Sequence, residues 1–193
     1  TVNHKNNYEP LEYNQGVSLG GTFEKFNYSA TLNSTIADGI SEAKPMNDTD
    51  VFESDAFSRV NSVVKIGFTP TKKLSFDFFA NYDRMKNEFD GGSYSDDLTN
   101  VSLSEQYRVG FSPKYKYTNG EIVLNSSGNV MDRALFNYGS FSYYKSRSMN
   151  ADLFNKYNFS KQVFLILGTQ FQFMDMLEES AFESITNTQA NFN

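Results

Sequence analysis

The stretch Leu74-Ser75-Phe76-Asp77-Phe78-Phe79-Ala80-Asn81-Tyr82-Asp83 sets apolar Leu74, Phe76, Phe78, Ala80 and Tyr82 against polar Ser75, Asp77, Asn81 and Asp83. Side chains two apart share a face of a strand, whereas a helix needs a period of 3.6. The stretch therefore reads as a strand with one greasy and one hydrophilic side. The same period runs outward in both directions. Upstream, Tyr28, Ala30, Leu32 and Ile36 oppose Ser29, Thr31, Asn33 and Thr35, and Val60, Val64, Ile66 and Phe68 oppose Asn61, Lys65 and Gly67. Downstream, Tyr107, Val109, Phe111 and Tyr115 alternate with Gln106, Arg108, Ser112 and Lys114.

These runs predict eight antiparallel strands, at 15–24, 27–37, 58–69, 73–87, 105–117, 121–133, 140–158 and 162–174. Most exceed the five or six residues of an ordinary globular strand. Their connections alternate in kind. Tight turns fall at Glu24-Lys25-Phe26-Asn27, Thr69-Pro70-Thr71-Lys72, Thr118-Asn119-Gly120 and Phe159-Ser160-Lys161-Gln162. Several carry the Pro, Asn and Gly that turns favour. Between them lie long polar loops at Asp38 to Ser58 and Glu88 to Glu105, with a third expected around Ala134 to Ser140. Tight turns at one end and long loops at the other are the pattern of an outer-membrane barrel. A soluble sandwich has shorter strands and closer turn signals. The fold class expected is all-β, with antiparallel transmembrane β-barrel strands over 15–176, a polar N-terminal segment over 1–14 and a loop or tail over 177–193.

Composition agrees with this reading. Hydrophobic residues make up 39% of 193, yet there are 19 Phe and 12 Tyr. That combination suits strands whose polar half is offset by an aromatic half. No apolar run approaches the 18–20 residues of a membrane helix, a fact that leaves barrel strands untouched. The formal charge of −6 argues against a nucleic-acid partner. The chain has no cysteine and a single histidine, His4, so thiolate and His-based chemistry are not expected. No nucleophile–base pair, Gly-rich phosphate loop or metal-hydrolase spacing occurs, and neighbours such as Asp96 and Asp97 point apart in extended chain. The chain reads as a non-enzyme.

Three sets of residues stand out. Phe76, Phe78, Tyr107, Phe111 and Tyr115, with Tyr82 and Tyr117, are expected to face lipid, the tyrosines near strand ends sitting at the interface. If instead the chain were a sandwich, they would form its core. Asn61, Lys65, Asp77, Asn81, Asp83, Arg108, Lys114 and Lys116 would line a wet lumen, or simply hydrate and neutralise one another. The loops carry clustered carboxylates: Asp38, Glu42, Asp48, Asp50, Glu53 and Asp55 in the first, and Glu88, Asp90, Asp96 and Asp97 in the second. Such oxygens can ligate Ca²⁺ or merely keep a surface solvated, and no EF-hand spacing is present.

At this point the residues resemble a family. Gly20-Gly21-Thr22-Phe23-Glu24-Lys25-Phe26-Asn27-Tyr28-Ser29-Ala30 looks like the first hairpin of a TonB-dependent outer-membrane receptor barrel. So does Ala151-Asp152-Leu153-Phe154-Asn155-Lys156-Tyr157 running into Gln170-Phe171-Gln172-Phe173. The order of loops and turns resembles the cobalamin-transporter branch in a form expected from Bacteroidetes. The resemblance implies a cell outer-membrane location and a barrel of about 22 strands, of which this chain supplies about eight. It also implies a separate plug domain, TonB acting through that plug, a surface lipoprotein as lid, and import of a scarce bulky solute such as a corrinoid. Carried over by position, Asp55, Tyr82, Asp83 and Asp90 would hold calcium. The chain has no plug-like segment and ends at Asn193 without a terminal aromatic, so it is read as a piece of a receptor or as a small barrel complete in itself. A passive porin-like channel and a soluble β-sandwich binding module remain the alternatives.

Overall fold

The alternation becomes nine strands in the computed structural model, which describes residues 11–47, 49, 51–180 and 184–192. They are β1 (Glu12–Phe23), β2 (Phe26–Ala37), β3 (Phe57–Thr71), β4 (Leu74–Glu88) and β5 (Val101–Tyr117), followed by β6 (Gly120–Asn137), β7 (Ser140–Asn158), β8 (Phe164–Ser180) and β9 (Ser184–Phe192). All nine form one open antiparallel sheet in sequence order. Each strand contacts only its neighbours in the chain, so no second layer covers either face among the described residues. No helix occurs among them. His4, Asp48 and Asp50 lie outside the described residues.

Three expectations are corrected. The long loop around 134–140 is a tight hairpin, with β6 and β7 paired up to Asn137 and Ser140. Tyr138 and Gly139 hold φ of 49° and 73°, and two positive angles are what a two-residue turn between twisted strands requires. Tyrosine rarely adopts that conformation. Here its amide donates 2.8 Å to Oδ1 of Asn100, a side chain only 1% exposed. The expected tail over 177–193 instead continues β8 and supplies β9, a ninth strand paired from Glu179↔Ser184 to Phe171↔Phe192. At the other end, β1 already begins at Glu12, inside the segment expected to be a polar lead-in.

Cross-strand partners share a face, so the registers define both sides of the sheet. One row runs Leu19, Ala30, Val64, Ala80, Val109, Gly128, Met149, Phe173 and Ala190. The row beside it towards the tight turns runs Tyr28, Ile66, Phe78, Phe111, Ser126, Ala151, Phe171 and Phe192. The opposite side is largely Ser, Thr, Asn, Gln and charge. The strand residues that are buried, Gly67, Ser102, Gly110 and Val123, all project from that polar side. The large apolar side chains of the other side are mostly exposed. The hydrophilic face is thus the more crowded of the two.

Candidate functional site

The apolar side is an aromatic belt with defined limits. Towards the tight turns, the rings of Phe26, Phe68, Phe76 and Phe111 follow one another at 4.5, 6.2 and 6.0 Å. Towards the loops, Tyr82 and Tyr107 meet at 5.0 Å. All seven side chains expected to face lipid (Phe76, Phe78, Tyr82, Tyr107, Phe111, Tyr115 and Tyr117) share this side. Immediately beyond Tyr82 and Tyr107 the character reverses. The next row reads Arg84, Glu105, Asp132 and Lys145 across β4 to β7, paired as Arg84–Glu105 and Lys145–Asp132, each at 3.3 Å. The Tyr82 hydroxyl donates to Glu105 at 3.2 Å, tying the belt to that charged row. Along β4 the belt spans Leu74 to Tyr82, nine residues, matching the 9–11 a tilted strand needs to cross a bilayer.

The polar side carries all eight expected lumen residues, Asn61, Lys65, Asp77, Asn81, Asp83, Arg108, Lys114 and Lys116, and hydrogen-bonded groups that the sequence hid. Asp83 is clasped by Arg59, with Nε at 3.0 Å and Nη2 at 2.6 Å from Oδ2, and Asn61 donates to the same oxygen at 2.9 Å. Arg59 was not among the expected residues. Its signal lay in register, since Arg59 and Asp83 occupy neighbouring positions on one face of β3 and β4. Gln106 donates to Asn129 at 2.7 Å and Ser112 pairs with Asn125 at 3.0 Å. Asn81 Oδ1 is buried without a partner. Lys65, Asp77, Arg108 and Lys114 make no ion pair among the described residues. Phe79 lies flat over Gly110, where a Cβ would collide with the ring.

At the loop end, residues 38–56 and 89–100 are latched together. Asp90 Oδ2 accepts from the Ser41 hydroxyl at 2.7 Å and the Ala43 amide at 2.6 Å, and the Asp97 amide reaches Oδ1 at 3.4 Å. Asp55 accepts from the Glu42 amide at 2.8 Å, and Asp96 from the Glu53 amide at 3.2 Å. The Lys44 amide donates to the Ser93 carbonyl at 2.8 Å, and the Tyr138 hydroxyl bonds the Gly91 carbonyl. Of the four residues carried over as calcium ligands, only Asp55 and Asp90 come together here. Tyr82 and Asp83 are adjacent in a strand and so project to opposite faces, Tyr82 towards Glu105 and Asp83 into the Arg59 clasp. Among the described residues no group of three or more acidic or histidine side chains converges as a metal cage would. The Asp90 oxygens are already engaged by loop donors. The residues present do not fit a calcium site of the expected composition.

Burial pushes the Asp55 carboxyl above its usual 3.8; the Glu42 amide opposes this, and the neighbouring Asp90 and Glu42 charges add to the rise. Burial pulls Asp90 upward too, but the Ser41 hydroxyl and the Ala43 and Asp97 amides outweigh it and hold Asp90 below 3.8. The two groups act oppositely on the latch. Asp55 binds its proton more tightly in the docked loop, so docking weakens as pH rises through its raised value. Asp90 supports docking fully above 3.8 and loses that support as pH falls through its lowered value. Acidifying from neutrality is thus expected first to tighten and then to release the loops. Asp55→Asn should reduce the tightening, leaving the share of Glu53, which burial and the Asp96 charge also raise, and should keep the release, read as amide exchange at Ala43 across that range. An unchanged profile in Asp55→Asn would contradict this assignment.

No protein-family model, curated protein or solved structure matches the chain.

Proposed function

We propose that this chain is part of the wall of an outer-membrane TonB-dependent transporter, its belt in lipid and its polar side around the plug and the passing solute. One observation carries the reading: a belt of large apolar side chains stands exposed on one side of the sheet, with no layer over it among the described residues. Burying a single Leu- or Phe-sized side chain is worth about 1.5–3 kcal/mol. A water-soluble fold would forfeit that many times over, whereas hydrocarbon recovers it. The described apolar core amounts to Ala43 and Val123, so the sheet also depends on strands beyond β1 and β9 to satisfy its open edges. The solute is a scarce, bulky one, and the corrinoid suggested by the family resemblance is the first to test. Calcium in the outer loops belongs to that same resemblance and would need ligands other than the four carried over.

The absence of cysteine from this chain makes the topology easy to probe. In outer-membrane vesicles, cysteines placed at Asp77 and Asn81 should react with a water-soluble maleimide. Those at Phe76 and Phe78 should react only with a lipid-soluble one. Equal reaction on both sides would rule out the membrane wall. Uptake of labelled cobalamin that requires both this protein and TonB would establish the transport step, and uptake indifferent to TonB would refute it.

A further inference from the structure

Between β5, β6 and β7 the belt is interrupted by a cavity of about 550 Å³, within the roughly 300–1,000 Å³ typical of small-molecule pockets. Its floor is made by residues too small to fill their places. Ser126 and Gly128 sit in rows where neighbouring strands carry Phe111, Val109 and Met149. The Ser126 hydroxyl is consumed by the Phe111 carbonyl at 2.9 Å, so it offers the cavity no free polar group. A Cβ at Gly128 would meet nothing closer than 3.9 Å, so the space above it is open. Phe78, Tyr107 and Phe111 wall one flank, and Met149 and Phe173 the other.

The loop-side rim of this cavity is Arg147. It lies in the row of Tyr82 and Tyr107, where the belt meets the charged row. The other cations of this border are taken: Arg84 by Glu105, Lys86 by Glu88 at 2.7 Å, and Lys145 by Asp132. Arg147 makes no ion pair among the described residues. Asp175, opposite it on β8, accepts instead from the Thr188 hydroxyl at 2.8 Å. A guanidinium left uncommitted at the edge of an apolar slot pairs best with a phosphate, which it can meet bidentately.

We propose that this cavity is a binding site for one phosphate-bearing lipid of the leaflet on the long-loop side. Its acyl chain lies over Ser126 and Gly128 and its phosphate rests on Arg147. The site rests on the membrane reading above and adds a specific ligand to it. A slot roofed by hydrocarbon on one side leaves the acyl chain in its own solvent, so discrimination comes from the headgroup.

The test uses the full-length protein in detergent, titrated with dioleoyl phosphatidic acid or with dioleoylglycerol, which lacks the phosphate. Retained lipid is counted by native mass spectrometry. Wild type should hold one phosphatidic acid and no dioleoylglycerol. Arg147→Gln should weaken retention by at least about tenfold, with Arg147→Lys in between. Gly128→Leu, which fills the slot and leaves the charge, should do the same. Arg84→Gln, whose guanidinium is already paired, should match wild type. Equal retention of dioleoylglycerol, or wild-type retention in Arg147→Gln, would overturn the site while leaving the membrane reading standing. Recovery of the protein folded in water without detergent would overturn the membrane reading itself, and the site with it. Should Gly128→Leu fail to fold, judged by heat-modifiable gel mobility, the Arg147 pair decides alone.

Discussion

Phe78→Arg is expected to cost about 2–4 kcal/mol of folding stability in a bilayer, the range for a cation placed at the midplane on the lipid side of a barrel strand. Phe78 lies midway along the belt segment of β4, Leu74 to Tyr82. Its ring stands on the same side as the Phe111 ring, its cross-strand partner. Asp77→Arg moves the same charge one residue along and onto the other side, opposite Gly67 and Ser112. There it meets water, and the expected change is within about 0.5 kcal/mol. Urea unfolding from lipid vesicles measures both. The pair is informative because the two substitutions place the same guanidinium on one strand, at nearly the same depth, on opposite sides. Equal costs would mean that the apolar side does not meet hydrocarbon, and a soluble sandwich would regain the stronger claim.

Asp90→Ala should undock the two outer loops. The carboxylate gathers the Ser41 hydroxyl and the Ala43 amide on one oxygen and the Asp97 amide on the other. Hydrogen bonds to a charged acceptor are worth about 1.5–3 kcal/mol each, but the loops retain independent ties through Lys44–Ser93 and Glu53–Asp96. A loss of about 2 kcal/mol in docking is therefore expected, seen as roughly thirtyfold faster exchange of the Ala43 amide. Asp90→Asn keeps an acceptor and loses the charge, and should fall between. The sheet below should be unaffected, because no strand of the belt depends on this carboxylate. Unfolding of the whole sheet by Asp90→Ala would contradict the division between latch and wall.

The fold was largely legible because its period is two and its strands are long. A residue such as Phe78 between Asp77 and Phe79 still reads correctly, since the pattern around it is sustained over the full strand. What escaped notice did so for identifiable reasons. The β6–β7 turn uses Tyr138 where the usual turn signal is Asn or Asp, and its stability comes from Asn100, 38 residues away in sequence. β9 was missed because only its Ala190 and Phe192 reach the belt. Thr188 lies in the border row of Tyr82, Tyr107 and Arg147, and Thr186 in the charged row, so the apolar alternation ends there. Within the calcium quartet, Tyr82 and Asp83 are neighbours in a strand and project to opposite faces, which the alternation already implied. Arg59 and its clasp on Asp83 needed the register between β3 and β4, which alternation alone does not supply.

The longer strands do not stop where the charged row begins. From Lys145 to Ser140 on β7, and from Asp132 to Asn137 on β6, hydrogen-bonded ladder continues for five further steps, about 16 Å along the strand at the usual rise. In physiological salt the electric field of a fixed charge decays over about 8 Å. On the membrane reading proposed above, the β6–β7 hairpin would reach up to about two screening lengths past the headgroups. Such a collar would give an arriving solute its first protein contact clear of the lipid.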